Sequence, residues 1–221
     1  TFTVPGGVSE ITIEAWGGGG AGGSSNSGIT GGGGSGAYSK STISVIPGEN
    51  FSITVGKGGD PDFSKLITGF PIETNGEESK VIRDNTSTEV VLAKGGKSVA
   101  GNATSGAVGG SDTGAVGDVK SPGNEGADAT STESGKGGKA PNGGTGGNSV
   151  SISNPGEDGI NPGGGGSGAA TSSQGQLGGY GANGRVDITY TRIIQIKTGK
   201  FNIASNWKNG ALPSSPDNFA A

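Results

Sequence analysis

Two short stretches of this sequence match patterns that bind nucleotides in other proteins. The stretch GYGANG at residues 179–184 fits the Gly-x-Gly-x-x-Gly fingerprint that cradles a dinucleotide pyrophosphate. That fingerprint needs a strand before it and a helix after it, whereas here a predicted strand follows it. Gly96-Lys97-Ser98 resembles the end of a phosphate-binding loop, but Val91 stands where the first glycine of that loop belongs. Neither stretch therefore predicts nucleotide binding.

Loop carboxylates are the remaining candidates for chemistry. Asp60 with Asp62, and Asp112 with Asp118, could supply the oxygen ligands that Ca²⁺ prefers. Their spacing fits neither the EF-hand loop nor the nonapeptide calcium repeat. Calcium is thus the one cofactor that the sequence leaves open, and solvated loop carboxylates are the alternative.

The composition argues against catalysis. The chain contains no His, no Cys and no Met, so the usual proton shuttle, thiol nucleophile and soft metal ligands are all missing. Its 15 Lys and Arg are dispersed under a net charge of −4, which argues against a nucleic-acid partner. No apolar run approaches the roughly 20 residues of a membrane-spanning helix. We therefore expect a non-enzymatic protein that binds no nucleic acid and has no membrane-spanning segment.

Short stretches of alternating apolar and polar residues predict β-strands with one buried face. They occur at residues 1–4, 10–16 and 185–190. We expect the first two to share one sheet with the third, which would bring the ends of the domain together.

Two further pairs of stretches predict hairpins. Residues 37–45 and 51–55 flank a turn that contains Pro and Gly, and residues 80–83 and 89–93 flank a polar turn. No segment carries the 3.6-residue apolar period of a helix. The predicted fold is all-β, with essentially no α-helix: a small β-sandwich or jelly-roll-like frame that carries long glycine-rich insertions.

The 51 glycines are gathered into runs, and several runs repeat with a period of three. Gly175, Gly178, Gly181 and Gly184 form one series, and residues 17–23 and 28–34 contain two others. Three is the period of the polyproline II helix. Ordering a residue costs about 1–2 kcal/mol and a net hydrogen bond returns about 0.5–1.5, so an isolated glycine helix should melt.

Some of the tracts should therefore pack side by side as polyglycine II helices, and the others should remain loops. We expect residues 175–184 to bond to residues 17–23 or 28–34. A flexible linker is the alternative interpretation.

Four side chains at the edges of these runs are of interest. Trp16 ends a strand before a glycine run and Tyr38 follows another, so both are expected to cap the boundary between strands and glycines as part of the core. Leu177 and Tyr180 lie inside a period-three tract and should project from it. They are the candidates for contact with a ligand.

The order of these motifs resembles a known family. TFTVPGGV at residues 1–8, AWGGGG at 15–20, PG at 47–48 with ITVG at 53–56, and GANGRVDITY at 181–190 are similar to the glycine-rich domain of Bacteroidota surface adhesins and phage tail-fibre proteins. This likeness covers residues 1–191.

A second likeness covers the remainder of the chain. Trp207, Gly210 and Pro213 form the Trp-x-x-Gly-x-x-Pro stretch that opens β-rich modules of surface proteins exported by the type IX secretion system. Residues 1–191 thus look like one glycine-rich β domain, and residues 192–221 like a linker strand and the truncated start of a following β module.

The resemblance implies a stalk or display module of a large secreted adhesin that acts in adhesion or gliding at the bacterial cell surface. Its partners would be the secretion machinery, neighbouring modules of the same polypeptide, and surface glycans or proteins. A receptor-binding domain of a phage tail fibre, located on the virion, is the first alternative. A structural filament or matrix protein is the second.

Overall fold

The alternating stretches form strands in the computed structural model, which describes residues 1–61, 74–172 and 175–192. This part of the chain contains ten strands and no helix, as predicted. The strands are β1 (Phe2–Thr3), β2 (Glu10–Trp16), β3 (Gly28–Ile29), β4 (Tyr38–Ser44), β5 (Asn50–Thr54), β6 (Ser79–Arg83), β7 (Thr88–Ala93), β8 (Val119–Ser121), β9 (Ala170–Thr171) and β10 (Arg185–Thr189).

Two four-stranded antiparallel sheets make the frame. One has the order β1-β5-β6-β7 and the other β10-β2-β4-β8, while β3 and β9 form a separate two-stranded sheet. The buried faces of the two large sheets meet in one core, where Ile11 and Ile13 of β2 pack in the same cluster as Phe51 of β5, Val81 of β6 and Val91 of β7. This sandwich-like arrangement agrees with the predicted fold class.

The expected pairing of the chain's first strands with its closing strand is half right. β10 pairs antiparallel with β2, with Arg185 opposite Trp16 and Thr189 opposite Thr12. β1 instead pairs with β5 in the other sheet, so its predicted place is wrong. A turn that begins at Pro5 connects β1 in one sheet to β2 in the other. Val4 and Val8, which flank this turn, are both buried in the core.

The predicted hairpin of residues 37–45 and 51–55 is also wrong, because β4 and β5 lie in different sheets. The connecting turn has Gly48 at a φ of 91° and is bonded to Val4 rather than closing a ladder. Crossing between the sheets lets Val45 and Phe51 both enter the core. The second predicted hairpin is confirmed, since β6 and β7 pair antiparallel.

The glycine runs extend beyond the sheets as one hydrogen-bonded body, which we call the glycine bundle (residues 17–37, 56–61, 74–78, 94–110, 122–170 and 175–184). Its most enclosed segment is 30–37. The amides of this segment donate to residues 94–103, 124–127 and 163–169, and its carbonyls accept from residues 17–23, 107–110 and 135–138. Those bonds are 2.8–3.1 Å long. Segment 30–37 thus has six hydrogen-bonded neighbours, and every third residue bonds to the same neighbour. This is the pattern expected of packed threefold helices.

The absence of side chains at the glycines allows this packing. A β-carbon at Gly33 would lie less than 3.0 Å from the carbonyls of Gly20 and Ala21. The predicted contact of residues 175–184 with residues 17–23 is confirmed by hydrogen bonds from Gly22 N to Gly179 O (3.0 Å) and from Gly19 N to Ala182 O (2.9 Å). Glycine is therefore required here for close approach between segments of the chain.

Candidate functional site

The boundary between the sandwich and the glycine bundle is closed by a pair of aromatic rings. Trp16 and Tyr38 stand opposite each other on β2 and β4, and their ring centroids lie 5.2 Å apart. Both are buried, together with Ala140 of the bundle. The indole Nε1 of Trp16 donates to the carbonyl oxygen of Pro141 at 2.9 Å, which joins the bundle directly to the frame.

Polar contacts hold the same rings in place. The Tyr38 hydroxyl donates to Glu14 Oε1, and burial together with this bond to a carboxylate raises the pKa of Tyr38 well above its ordinary value. The guanidinium carbon of Arg185 lies 4.5 Å from the Trp16 ring centroid. Tyr38 is thus a neutral, fixed donor, and this corner has the chemistry of a structural joint.

The period-three glycines of the last tract contact the backbone of the first. β-Carbons at Gly178, Gly181 and Gly184 would lie within 3.0 Å of the carbonyls of Gly22, Gly19 and Trp16 respectively. Gly175 opens the last described stretch and is half-buried. Gly178, Gly181 and Gly184 therefore have a packing role that a larger residue could not fill.

The far end of the bundle is formed by five loops, which we call the tip: residues 25–29, 100–105, 128–134, 149–155, and 170–172 with 175–176. Each loop contacts the next. The contacts are Asn26 with Asn102, Thr104 with Ala129, Glu133 with Ser151, Asn154 with Ala170, and Thr171 with Gly28. The loops thus close into a ring at one end of the domain.

The tip lies well away from the sandwich. Segment 17–25 leaves β2 at the boundary and reaches the tip at Ser25, and about eight residues of threefold helix span roughly 25 Å. The described tip residues are mainly Ser, Thr, Asn and Gly, and Ile152 is exposed among them. Exposed hydroxyl and amide groups can hydrogen-bond to a ligand, and an exposed apolar side chain can pack against it.

One of the carboxylates singled out for calcium is engaged by the backbone: Asp118 Oδ2 accepts from the amide of Thr42 at 2.9 Å. Asp62 lies outside the described residues. Within the described ranges, no three or more acidic, His or Cys side chains gather in a group that could hold a metal ion.

A groove on the side of the bundle contains Tyr180, one of the two residues predicted to project. Tyr180 is 47% exposed and lines the groove, which has a volume of about 470 Å³. Leu177 is half-buried, and its carbonyl accepts from Gly156 N at 2.8 Å. The groove thus includes one of the two predicted contact residues.

Sequence reasoning missed the partners of Tyr180 in this groove. Asn183 lies on the same segment, three residues on, and Asp158 and Asn161 have the same spacing on a neighbouring segment. In a threefold helix, residues three apart face the same direction. Polar pairs at this spacing within the glycine runs were the available signal.

No helix long and apolar enough to cross a membrane is found in the part of the chain that the structure describes.

The comparisons agree with the glycine-rich architecture. No curated protein matches the sequence. A family model described as a glycine-rich domain matches residues 1–191, which include the sandwich, the bundle and the tip. The chain therefore belongs to the glycine-rich domain family.

Proposed function

We propose that this domain is a non-enzymatic display unit of a large secreted cell-surface adhesin. The observation that carries the proposal is the position of the tip relative to the two ends of the domain. Arg192 Nε donates to Gly6 O at 2.8 Å, and the rings of Phe2 and Tyr190 are 5.9 Å apart. Both contacts lie at the end of the sandwich opposite the bundle, because β2 and β10 run from there to the boundary.

This arrangement favours display over a stalk. An in-line stalk takes the chain in at one end and lets it out at the other, so that tension passes through the whole module. Here the entering and leaving segments meet, and the glycine bundle projects from them as a side branch. A ligand at the tip would be held away from the parent polypeptide by the length of the bundle.

The bundle suits this role because its rigidity does not depend on a large apolar core. The backbone of segment 30–37 is hydrogen-bonded to six neighbouring segments. Tip loops on such a support lose little further conformational entropy when they bind, which favours affinity. Loops on a rigid scaffold are also a common place for binding residues.

The proposed setting is the bacterial cell surface, reached by type IX secretion, with the secretion machinery and neighbouring modules as partners. It is supported by the resemblance of residues 1–191 to surface adhesins and by the Trp-x-x-Gly-x-x-Pro stretch. Within residues 192–221 only Arg192 is described, so the second module is proposed from its sequence alone.

A receptor-binding domain of a phage tail fibre is the second candidate. The ring of loops at the end of the bundle favours it, because a fibre must present its recognition surface at its extremity. In both candidates the tip is the recognition surface. The two candidates differ in the partner that the tip binds.

Oriented immobilisation tests the proposal. Because the chain has no Cys, biotin can be attached either at its N-terminus or at a single cysteine in the tip, Ser27→Cys. Beads carrying either form are offered a mucin-coated surface and intact Gram-negative cells. We expect capture by mucin with N-terminal anchoring and its loss with tip anchoring. Capture by the bacterial cells alone would favour the tail fibre. Capture that is absent, or equal in the two orientations, would contradict display at the tip.

A further inference from the structure

The groove beside Tyr180 is built by three glycine segments that lie side by side. Segments 57–60, 158–161 and 180–183 each contribute two exposed side chains, three residues apart. The pairs are Lys57 and Asp60, Asp158 and Asn161, and Tyr180 and Asn183. Each pair therefore lies on one face of its segment, and the three faces meet in the groove.

The floor of the groove is fixed by backbone hydrogen bonds. Gly181 N donates to Gly59 O at 2.9 Å, and Gly159 N donates to Tyr180 O at 2.8 Å. A β-carbon at Gly58 would lie less than 3.0 Å from the carbonyl of Gly181. The three segments thus hold the side chains at set separations, as a preformed binding site requires.

Two polar side chains are oriented by the same segments. Asp158 Oδ1 accepts from Tyr180 N at 2.8 Å, and Asn183 Oδ1 accepts from Gly58 N at 2.9 Å. Asp158 retains its second carboxylate oxygen as an acceptor, and Asn183 retains its Nδ2 group as a donor. Neither of these atoms has another hydrogen-bond partner among the described residues.

The exposed ring of Tyr180 lines the same groove as this acceptor and this donor. No aromatic ring or cationic group of the described residues stacks on Tyr180, so its ring is available to a ligand. An aromatic face packs on the C–H face of a sugar ring, while carboxylate and amide groups bond to its hydroxyls. The groove combines these groups on a fixed support.

We propose that this groove is a second recognition site, separate from the tip, and that it binds a neutral saccharide unit. The ring of Tyr180 packs against the sugar, Asp158 accepts from its hydroxyls, and Asn183 donates to them. Two carboxylates against one lysine give the groove a net negative charge, which disfavours acidic sugars and phosphorylated ligands.

Chemical-shift mapping with the complete ¹⁵N-labelled chain tests the site. The probes are the methyl glycosides of glucose, galactose, mannose and N-acetylglucosamine, with sialic acid as the acidic comparison. At least one neutral glycoside is expected to shift the amides of Gly58, Tyr180, Gly181 and Asn183 together, with saturation in the millimolar range. Sialic acid should leave these amides unchanged.

Two variants and a matched control locate the effect. Tyr180→Ser should weaken binding by about tenfold through loss of ring packing. Asp158→Asn keeps an acceptor for the Tyr180 amide and should weaken binding severalfold, because a charged acceptor bonds about twice as strongly. Tyr190→Ser is the control, since Tyr190 is 43% exposed but lies at the end of the sandwich opposite the bundle, outside the groove. It should bind like the wild type.

Absence of shifts with all four neutral glycosides, or equal affinity in the wild type and Tyr180→Ser, would overturn the saccharide site. The tip proposal fails separately. If Tyr180→Ser beads still adhere in the N-terminal orientation while saccharide shifts are absent, only the groove inference is wrong. If the shifts are present in the wild type but Tyr180→Ser beads adhere equally in both orientations, only display at the tip is wrong, because the altered groove does not contribute to that adhesion.

Discussion

Replacing Gly178 by alanine adds one methyl group where two backbones touch. The new β-carbon would lie less than 3.0 Å from the carbonyl of Gly22, and ordinary contact at 3.4 Å or more requires the two segments to separate. The bonds at risk are Gly22 N to Gly179 O and Gly19 N to Ala182 O. Because both segments are also bonded to other neighbours, separation on one side disturbs the contacts on the opposite side.

The magnitude follows from those two bonds. A buried donor or acceptor left without its partner costs about 1–3 kcal/mol, so two broken bonds cost about 2–6 kcal/mol. In a domain of this size each kcal/mol lowers Tm by about 2–4 °C, which gives a fall of at least about 4 °C and up to about 24 °C. The lower entropy of the unfolded alanine variant offsets only about 0.4–1 kcal/mol of this.

The assay is thermal unfolding followed by circular dichroism, with two controls. Gly6 has no atom within 4 Å of its potential β-carbon, so Gly6→Ala should leave Tm unchanged or slightly raised. Gln176 already carries a side chain in the same tract, and Gln176→Ala should have a small effect. A Tm for Gly178→Ala equal to that of Gly6→Ala would refute the close packing of these segments and favour a flexible linker.

Further predictions concern the boundary and Glu78, whose carboxylate is paired with Lys94 and Lys80. Trp16→Phe should lower the free energy of unfolding in urea by about 1–3 kcal/mol, because Pro141 O loses its buried donor; Tyr190→Phe, which alters an exposed ring, should have little effect. Hydrogen bonding from Lys94 lowers the pKa of Glu78, so the Glu78 carboxylate stabilises the fold above its unfolded pKa. The wild type should be more stable than Glu78→Gln at pH 7. This difference should vanish as the pH falls through the lowered pKa. A difference independent of pH would contradict this role for the ion pair.

Local pattern predicted the strands and the glycine packing, but it did not predict which sheet each strand joins. Alternation in residues 37–45 and 51–55 shows that each stretch has one buried face, and a turn between them is compatible with a hairpin or with a crossing between sheets. The crossing is favoured because it buries Val45 and Phe51 against the opposing sheet. That choice depends on the whole core, so the local sequence does not decide it.

The candidate sites show the same division. The period of three predicted that Tyr180 projects from its tract, because projection is a property of one segment. The groove needs the neighbouring segments 57–60 and 158–161, which are distant in the sequence and adjacent only through packing. The tip likewise depends on how five separate loops meet. Polar pairs at a spacing of three in the sequence can indicate which residues face the same side of a segment. Which segments lie side by side is decided by the packing of the whole bundle.

Native-state hydrogen exchange at the glycine amides tests the central claim, that the glycine runs form one rigid hydrogen-bonded scaffold. Gly33 N bonds to Gly166 O and Gly20 N bonds to Gly34 O, both at 2.8 Å. We predict that these two amides exchange only by global unfolding, as slowly as the amide of Ile13 in β2, while that of Ser27 in the tip exchanges quickly. Exchange of Gly33 and Gly20 as fast as that of Ser27 would show that the runs are flexible loops, and would contradict the scaffold.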